Sequence, residues 1–339
     1  MTAPLGTGVQ IVAELAQGFE GKPEQARLLL AAAAAGGADA GKFQLVYADE
    51  LATPDYQHYA LFQSLEMADE TWADLGAYAA RLGIELHLDI FGVRSLRLAE
   101  RIGAAAVKLH PTDIANAGLL EDVAAGSVDR VFLGAGGAHM GELERALDLM
   151  GGKDVTVLFG FQGYPTPLET NHIARLRYFA GMTARIRPNV TVGFADHAPP
   201  ESPLRYALAV AAVGAGAKVL EKHLTLGRVL KLEDHESALN PDEFLEFSTV
   251  VRQSAKALGE PKEDEDFGMS ESEKAYRSTI RRHVVASRDL ERQSVLSPAD
   301  VVLKRTSAAE PITDLTLTYD RRLTKDVGQN SPLSLADLD

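Results

Sequence analysis

Strand-length apolar stretches alternate with Ala-rich amphipathic ones through the first three-quarters of the chain. Eight of the former can be read: Ile11–Ala16, Lys42–Tyr47, Glu85–Phe91, Ala106–Pro111, Arg130–Gly136, Val155–Phe161, Thr191–His197 and Lys218–Leu224. Between them lie helix-patterned segments such as Pro23–Ala35, Asp69–Leu82, Ser95–Ile102, Glu142–Met150, Thr170–Ala180 and Pro203–Val213. This is the alternation of βα units on a parallel sheet. Eight right-handed units over about 240 residues close most economically into a (β/α)8 TIM barrel, an α/β fold. A doubly wound open sheet would need an early glycine-rich phosphate turn, and no G-x-G-x-x-G follows any of the first three strands.

Beyond the helix expected at Pro241–Leu258 the pattern changes. Gly259–Ser272 is rich in Glu, Asp, Pro, Gly and Ser and reads as a linker. From there to Asp339 the periodicity is short and strand-like, at His283–Ala286, Val301–Lys304 and Leu315–Leu317, with no barrel-type helices. The predicted organisation is a barrel over 1–258, a linker over 259–271 and a small β-rich domain over 272–339. Some 65 residues bury little apolar surface, so the last unit is expected to dock on something larger.

Composition narrows the function. Forty-eight acidic against 34 basic residues give a net charge of −14, which repels nucleic acid and anionic membranes unless a local basic pocket is built. No run approaches a membrane span, and Met1–Val9 lacks the basic-then-apolar order of a signal peptide, so a cytoplasmic location is expected. With no cysteine, any metal must sit on His, Asp or Glu.

In a barrel, chemistry belongs at the carboxyl ends of the strands, and a charged group inside a strand is costly unless paired or metal-bound. Polar residues gather there: Glu14; Lys42 and Gln44; Asp89; Lys108, His110 and Asp113; Gln162 and Tyr164; Asp196 and His197; Glu221, Lys222 and His223. His197 and His223 end neighbouring strands, so two neutral imidazoles could meet one divalent cation that keeps positions open for substrate. Each could equally be a hydrogen-bonded structural histidine. Lys42 and Lys108 could neutralise a phosphate or carboxylate, form a Schiff base if one were desolvated, or pair with Glu14, Asp89 or Asp113. The run Gly134-Ala135-Gly136-Gly137 could offer amides to an anion or simply form a tight turn.

Several stretches resemble the sialic acid synthase family: Ala13-Glu14-Leu15, Gly37–Gln44, Tyr164-Pro165-Thr166-Pro167, Gly193-Phe194-Ala195-Asp196-His197 and Glu221–Leu226. The likeness continues through Asp234 and Ser237–Pro241 into a tail similar to the family's antifreeze-like (SAF) domain, carried by Ser272-Glu273-Lys274, Arg281-Arg282 and Leu303-Lys304-Arg305. The resemblance implies condensation of phosphoenolpyruvate with an N-acetylated hexosamine to give a nine-carbon ulosonic acid, in a homodimer whose SAF domain is swapped so that Arg305 reaches the partner's site. It implies Mn2+ on His197 and His223, with Mg2+ or Co2+ as alternatives. Glu14 and Asp234 would contact sugar hydroxyls, and Lys42, Gln44 and Lys108 the carboxylate and phosphate ends. Asp113 takes the place of an acidic group near the reacting carbon.

Departures from the family pattern are equally specific. Leu88-Asp89-Ile90-Phe91 stands where Ser-Thr-Pro-Phe is usual, placing the Asp89 carboxylate where a phosphate-binding hydroxyl is expected. Pro111, Ala195 and the Gly134–Gly137 run replace further hydroxyl donors. Each lost charge-assisted hydrogen bond removes roughly 1.5–3 kcal/mol of gross interaction. Thr112, Gln162 and the glycine amides are the candidate substitutes. A barrel aldolase or lyase acting on an unphosphorylated keto acid, and a non-catalytic sugar-binding protein, remain the alternatives. The acceptor-selecting groups are expected in loops such as Ala48–Ser64.

Overall fold

The computed structural model describes residues 8–160, 166–259, 266–309 and 312–339. Eight parallel strands close into a barrel in chain order: β1 (Gln10–Ala16), β2 (Ala40–Gln44), β3 (Glu85–Ile90), β4 (Ala106–Leu109), β5 (Arg130–Gly134), β6 (Asp154–Phe159), β7 (Val190–Asp196) and β8 (Val219–His223). Closure is direct, with Gln10 of β1 opposite Val219 of β8 and Glu14 opposite His223. The TIM-barrel expectation holds.

The strands form because their outward residues are apolar and meet apolar helix faces. Helix Pro23–Ala35 has Pro at its first turn and buries Ala26, Leu29, Leu30 and Ala33 at helical spacing. Helix Pro241–Leu258 opens with a capping box between Asn240 and Glu243 and packs against helices Pro23–Ala35 and Ala207–Gly214, completing the outer ring. Its Phe244 and Phe247 are fully buried, each contributing about 1.5–3 kcal/mol. Trp72, also buried, meets Phe19 and Phe43 edge-on at centroid distances of 5.5 and 5.9 Å.

Inside the barrel, successive inward residues lie two apart. The lower positions are apolar, with Val12, Ala40, Ala106, Phe132, Leu158 and Val219 forming a separate interior cluster. Below it, His87 reaches Glu85 at 2.8 Å, and Arg130 donates two hydrogen bonds to Glu85 at 2.7 and 2.9 Å. The next step toward the carboxyl end brings charge.

Residues from Met1 to Gly259 form one compact unit and those from Glu260 to Asp339 a second. In the second, β9 (His283–Ala286) and β10 (Val301–Lys304) pair antiparallel over a small core of Val284, Ala286, Leu290, Leu296, Leu323 and Leu333. Two expectations need correction here. Leu315–Thr318 is a 3-10 turn, because the Asp314 carboxylate accepts from the Thr316 amide at 2.9 Å and holds the turn closed. The segment also carries a helix, Glu271–Ile280, started by a Ser270–Glu273 capping box, so residue 272 lies within a helix and not at a linker's end. In the barrel unit, Ala48–Ser64 contains two short helices, Ala48–Leu51 and Tyr59–Leu65, the second running one residue past it.

Candidate functional site

Directly above the apolar interior, one two-residue step along each strand places Glu14 (β1), Lys42 (β2), Asp89 (β3), Lys108 (β4) and Glu221 (β8) inside the barrel, all at 3% exposure or less. Lys42 Nζ donates to Glu14 Oε2 and, at 2.6 Å, to Asp89 Oδ1, with Glu221 Oε2 at 3.5 Å. Lys108 Nζ donates to Glu221 Oε1 at 2.6 Å, with Glu14 Oε2 and Asp89 Oδ2 each at 3.9 Å. Two ammonium groups are thus matched against three carboxylates. Asp89 Oδ2 and Glu221 Oε2 are buried and accept no hydrogen bond.

The electrostatics follow from this crowding. Burial works against the Lys42 ammonium, but Asp89, Glu14 and Glu221 together outweigh it and hold its pKa well above the ordinary lysine value. Burial, only partly opposed by Lys42 and reinforced by Glu221 and Asp89, pushes the Glu14 carboxyl up to about 8. Burial also acts on Glu221, yet Lys108 and Lys42 overcome it and keep that carboxyl well below its usual range. Of the three carboxyls Glu14 is the one that burial drives toward its neutral form, while both of its oxygens accept hydrogen bonds, Oε1 from the Ala16 amide at 2.8 Å and Oε2 from Lys42.

A further step outward reaches Gln44, His110, His197 and His223. These four line one cavity with Glu14, Asp89, Lys108 and Glu221. The His197 and His223 rings end β7 and β8, with centroids 5.1 Å apart. His197 Nδ1 donates to the Ala195 carbonyl at 3.2 Å, which leaves the ring's lone pair on Nε2. Burial lowers the His197 pKa to about 4, and burial together with His197 takes His223 well below its ordinary value. Both rings are neutral at physiological pH, the form that ligates a metal.

Neighbouring groups hold these rings. Lys222 points away from the cavity, donating to Asp196 Oδ1 at 3.2 Å and the Ala198 carbonyl at 2.9 Å, while Asp196 Oδ1 accepts from the Ala198 amide at 2.8 Å. That buried pair fixes the chain on either side of His197. Ser237 donates to the His197 carbonyl at 3.2 Å, and the Leu239 amide to the His223 carbonyl at 2.9 Å. Asp234, in the left-handed region at φ 61°, brings Oδ2 within 4.0 Å of His223 Nδ1.

Two neutral imidazoles on adjacent strands suit a borderline divalent ion. Among the described residues no group of three or more His, Asp or Glu is arranged to hold a metal. A cation at this place would therefore take two protein nitrogens and complete its shell with water and substrate oxygens.

Of the residues singled out in the sequence, Glu14, Gln44, Asp89, Lys108, His197 and His223 converge on the cavity. Lys42 does not line it; the ammonium is fully buried and bound by carboxylates. Its pairing with Glu14 and Asp89 is realised. Thr112 and Asp113 lie on a 3-10 turn, Pro111–Asp113, and do not themselves line the cavity, but the Thr112 hydroxyl is 3.2 Å from Nδ1 of the cavity residue His110; Asp113 accepts from Asn116 at 3.2 Å and Thr112 at 3.3 Å. Arg305 is an exposed residue of the second unit. Gln162 and Tyr164 lie outside the described residues. Gly134 has a packing reason, since a side chain there would come within 2.5 Å of Pro111. Glu221 and His110 also line the cavity; they stand among the strand-end polar residues but were given no role in the sequence reading. The signal was present in Glu221-x-His223 and Lys108-x-His110, whose members share a strand face.

Residues 29–263 match the profile of the NeuB family. The chain is 31% identical over 265 residues to the spore coat polysaccharide biosynthesis protein SpsE of Bacillus subtilis, covering 74% of this chain and 68% of that one. It is 26% identical over 314 residues to N,N'-diacetyllegionaminic acid synthase of Campylobacter jejuni, covering 87% and 90%. Among solved structures, spore coat polysaccharide biosynthesis protein E from Chromobacterium violaceum shares the fold, with a TM-score of 0.81, 23% identity and coverage of 98% and 99%.

Proposed function

Because this chain belongs to the NeuB family, we propose that it condenses phosphoenolpyruvate with the open-chain aldehyde of an N-acetylated hexosamine or related aldose, releasing phosphate and a sialic-acid-like nonulosonate. The observation that carries the reading is the pair of neutral imidazoles, His197 and His223, facing one cavity from adjacent barrel strands. Those two residues would hold a divalent cation, Mn2+ in this proposal, with Mg2+ or Co2+ also compatible with nitrogen and oxygen donors. Bound there, the cation would supply Lewis-acid polarisation of the aldehyde oxygen.

The chain's own residues would do the rest. C3 of the enol forms the new bond to the aldehyde carbon, and the resulting alkoxide needs a proton. Glu14, whose carboxyl burial pushes up to about 8, is the group on the cavity wall that would give it. Water then adds at C2, and the tetrahedral intermediate collapses to the ketone as phosphate leaves. Lys108 is the ammonium on the cavity wall, and Gln44, steadied by Gln17 at 2.7 Å, offers an amide to a carboxylate or hydroxyl. Asp234 would accept from a sugar hydroxyl beside His223. The second unit would serve as a SAF domain exchanged across a homodimer, carrying Arg305 to the partner's sugar.

The direct test is phosphate release from phosphoenolpyruvate that depends on both an N-acetylated hexosamine and a divalent cation. One observation favours a second reading, an aldolase or lyase using a keto acid: both lysines are already neutralised. Retro-aldol release of pyruvate from a nonulosonate, with no phosphate consumed or produced, would select it and end the first.

A further inference from the structure

The charge balance inside the barrel bears on how this site treats an anionic donor. Lys42 is sealed from the cavity, so the cations a ligand could meet there reduce to Lys108, which already donates to Glu221 at 2.6 Å. Asp89 straddles the two lysines, one oxygen on Lys42 at 2.6 Å and the other 3.9 Å from Lys108, and itself lines the cavity. A phosphate approaching Lys108 therefore meets a fixed carboxylate already beside that ammonium group. In a dry interior an added anion is tolerated only where cations are left to match it, and among the described residues of this layer both ammonium groups are already held by carboxylates.

We propose that Asp89 is the specificity-determining residue of the donor site, an internal counter-anion, anchored on Lys42, that competes with the donor's phosphate for Lys108 and so lowers discrimination in favour of a phosphorylated enol acid over a plain keto acid. The inference rests on the phosphoenolpyruvate reading for the identity of the donor, but its test does not depend on turnover. Removing the charge at Asp89 leaves Lys42 with Glu14 and Glu221 as partners, so the cluster keeps two carboxylates for two ammonium groups and the variant should fold.

The experiment is direct calorimetric binding of phosphoenolpyruvate, pyruvate and inorganic phosphate to full-length Mn2+-loaded protein, for the native chain and for Asp89→Asn and Asp89→Ser. The native chain is expected to prefer phosphoenolpyruvate over pyruvate by less than tenfold. Both variants should tighten phosphoenolpyruvate and inorganic phosphate tenfold or more, with pyruvate changed less than threefold. Unchanged or weakened phosphate binding in a variant whose Trp72 emission is native overturns the proposal. So does a native preference for phosphoenolpyruvate above tenfold, a measurement that needs no variant. If the native chain releases no phosphate with any aldose while the variants still gain phosphate affinity, the condensation reading fails and the role of Asp89 stands.

Discussion

Replacing Lys108 by Met tests whether the charged layer is a balanced unit. The lysine lies 2.6 Å from Glu221 and 3.9 Å from both Glu14 and Asp89. At an effective dielectric of about 20 these separations correspond to attractions of about 6, 4 and 4 kcal/mol. Much of that is cancelled by the desolvation of five buried charged groups and by repulsion among the acids. Breaking one partner out of such a set characteristically costs about 3–5 kcal/mol, because the charge left behind is unmatched. We therefore expect Lys108→Met to lose about 3–5 kcal/mol of barrel stability at pH 7. The double variant Lys108→Met/Glu221→Gln, which also removes an acid, should be less destabilised than the sum of its parts by about 2–3 kcal/mol. Urea unfolding followed by fluorescence reads this cleanly, since the chain has a single tryptophan and Trp72 is buried in the barrel unit. The midpoint should move while the slope stays constant. Because the pairs are buried, 1 M NaCl should leave the difference nearly intact. A coupling below about 0.5 kcal/mol would mean that Lys108 and Glu221 are not partners.

Two other expectations concern the metal and the base of the barrel. His197→Ala or His223→Ala should cut cation-dependent turnover by at least about a hundredfold while Trp72 emission and circular dichroism stay native; full activity of either variant in metal-depleted buffer would remove the metal role. At the other end of the barrel, hydrogen bonds from His87 and Arg130 overcome the opposing effect of burial and lower the Glu85 carboxyl from 4.5 to about 2. Since the folded pKa lies below the unfolded one, the stabilisation is present above pH 4.5 and is lost as pH falls toward 2. The full shift would correspond to about 3 kcal/mol, which partial exposure of the side chain reduces to about 1–2 kcal/mol. Glu85→Gln should lower stability at pH 7 by that amount and flatten the acid limb, and native and variant pH–stability curves running parallel from pH 7 to 2 would refute it.

The barrel was legible because each strand carries apolar residues on its outward face, and helices such as Pro23–Ala35, Asp69–Leu82 and Pro241–Leu258 have the residues at both ends that start and stop them. The second strand was displaced by two or three residues in the reading. Leu45, Val46 and Tyr47 are apolar and buried, yet the ladder begins with Val12 opposite Ala40 and Ala13 opposite Gly41, and the small residues Ala40 and Gly41 give no strand signal. Leu315-Thr316-Leu317-Thr318 alternates like a strand, but Asp314 closes it into a turn. The Ser270–Glu273 capping box was readable in the sequence; the exposed, polar helix behind it has no apolar face to advertise it. At the site, strand-end clustering picked out most of the cavity lining. What a linear reading could not decide was the pairing. Lys108 and Glu221 are 113 positions apart and meet only because the cylinder closes, so the choice between free and neutralised lysines waited on the three-dimensional arrangement.

That closure also dictates an order of events at the ribosome. The first strand is made roughly two hundred residues before the eighth that flanks it, and the last helix of the ring follows later still. Until then the early strands present an unsatisfied edge, and contacts spanning such a separation form slowly. A nascent chain halted before residue 219 would carry all but one stave of the cylinder and none of its seal. Chaperone dependence and inclusion-body formation in C-terminally shortened versions follow from that topology, independently of any chemistry at the rim.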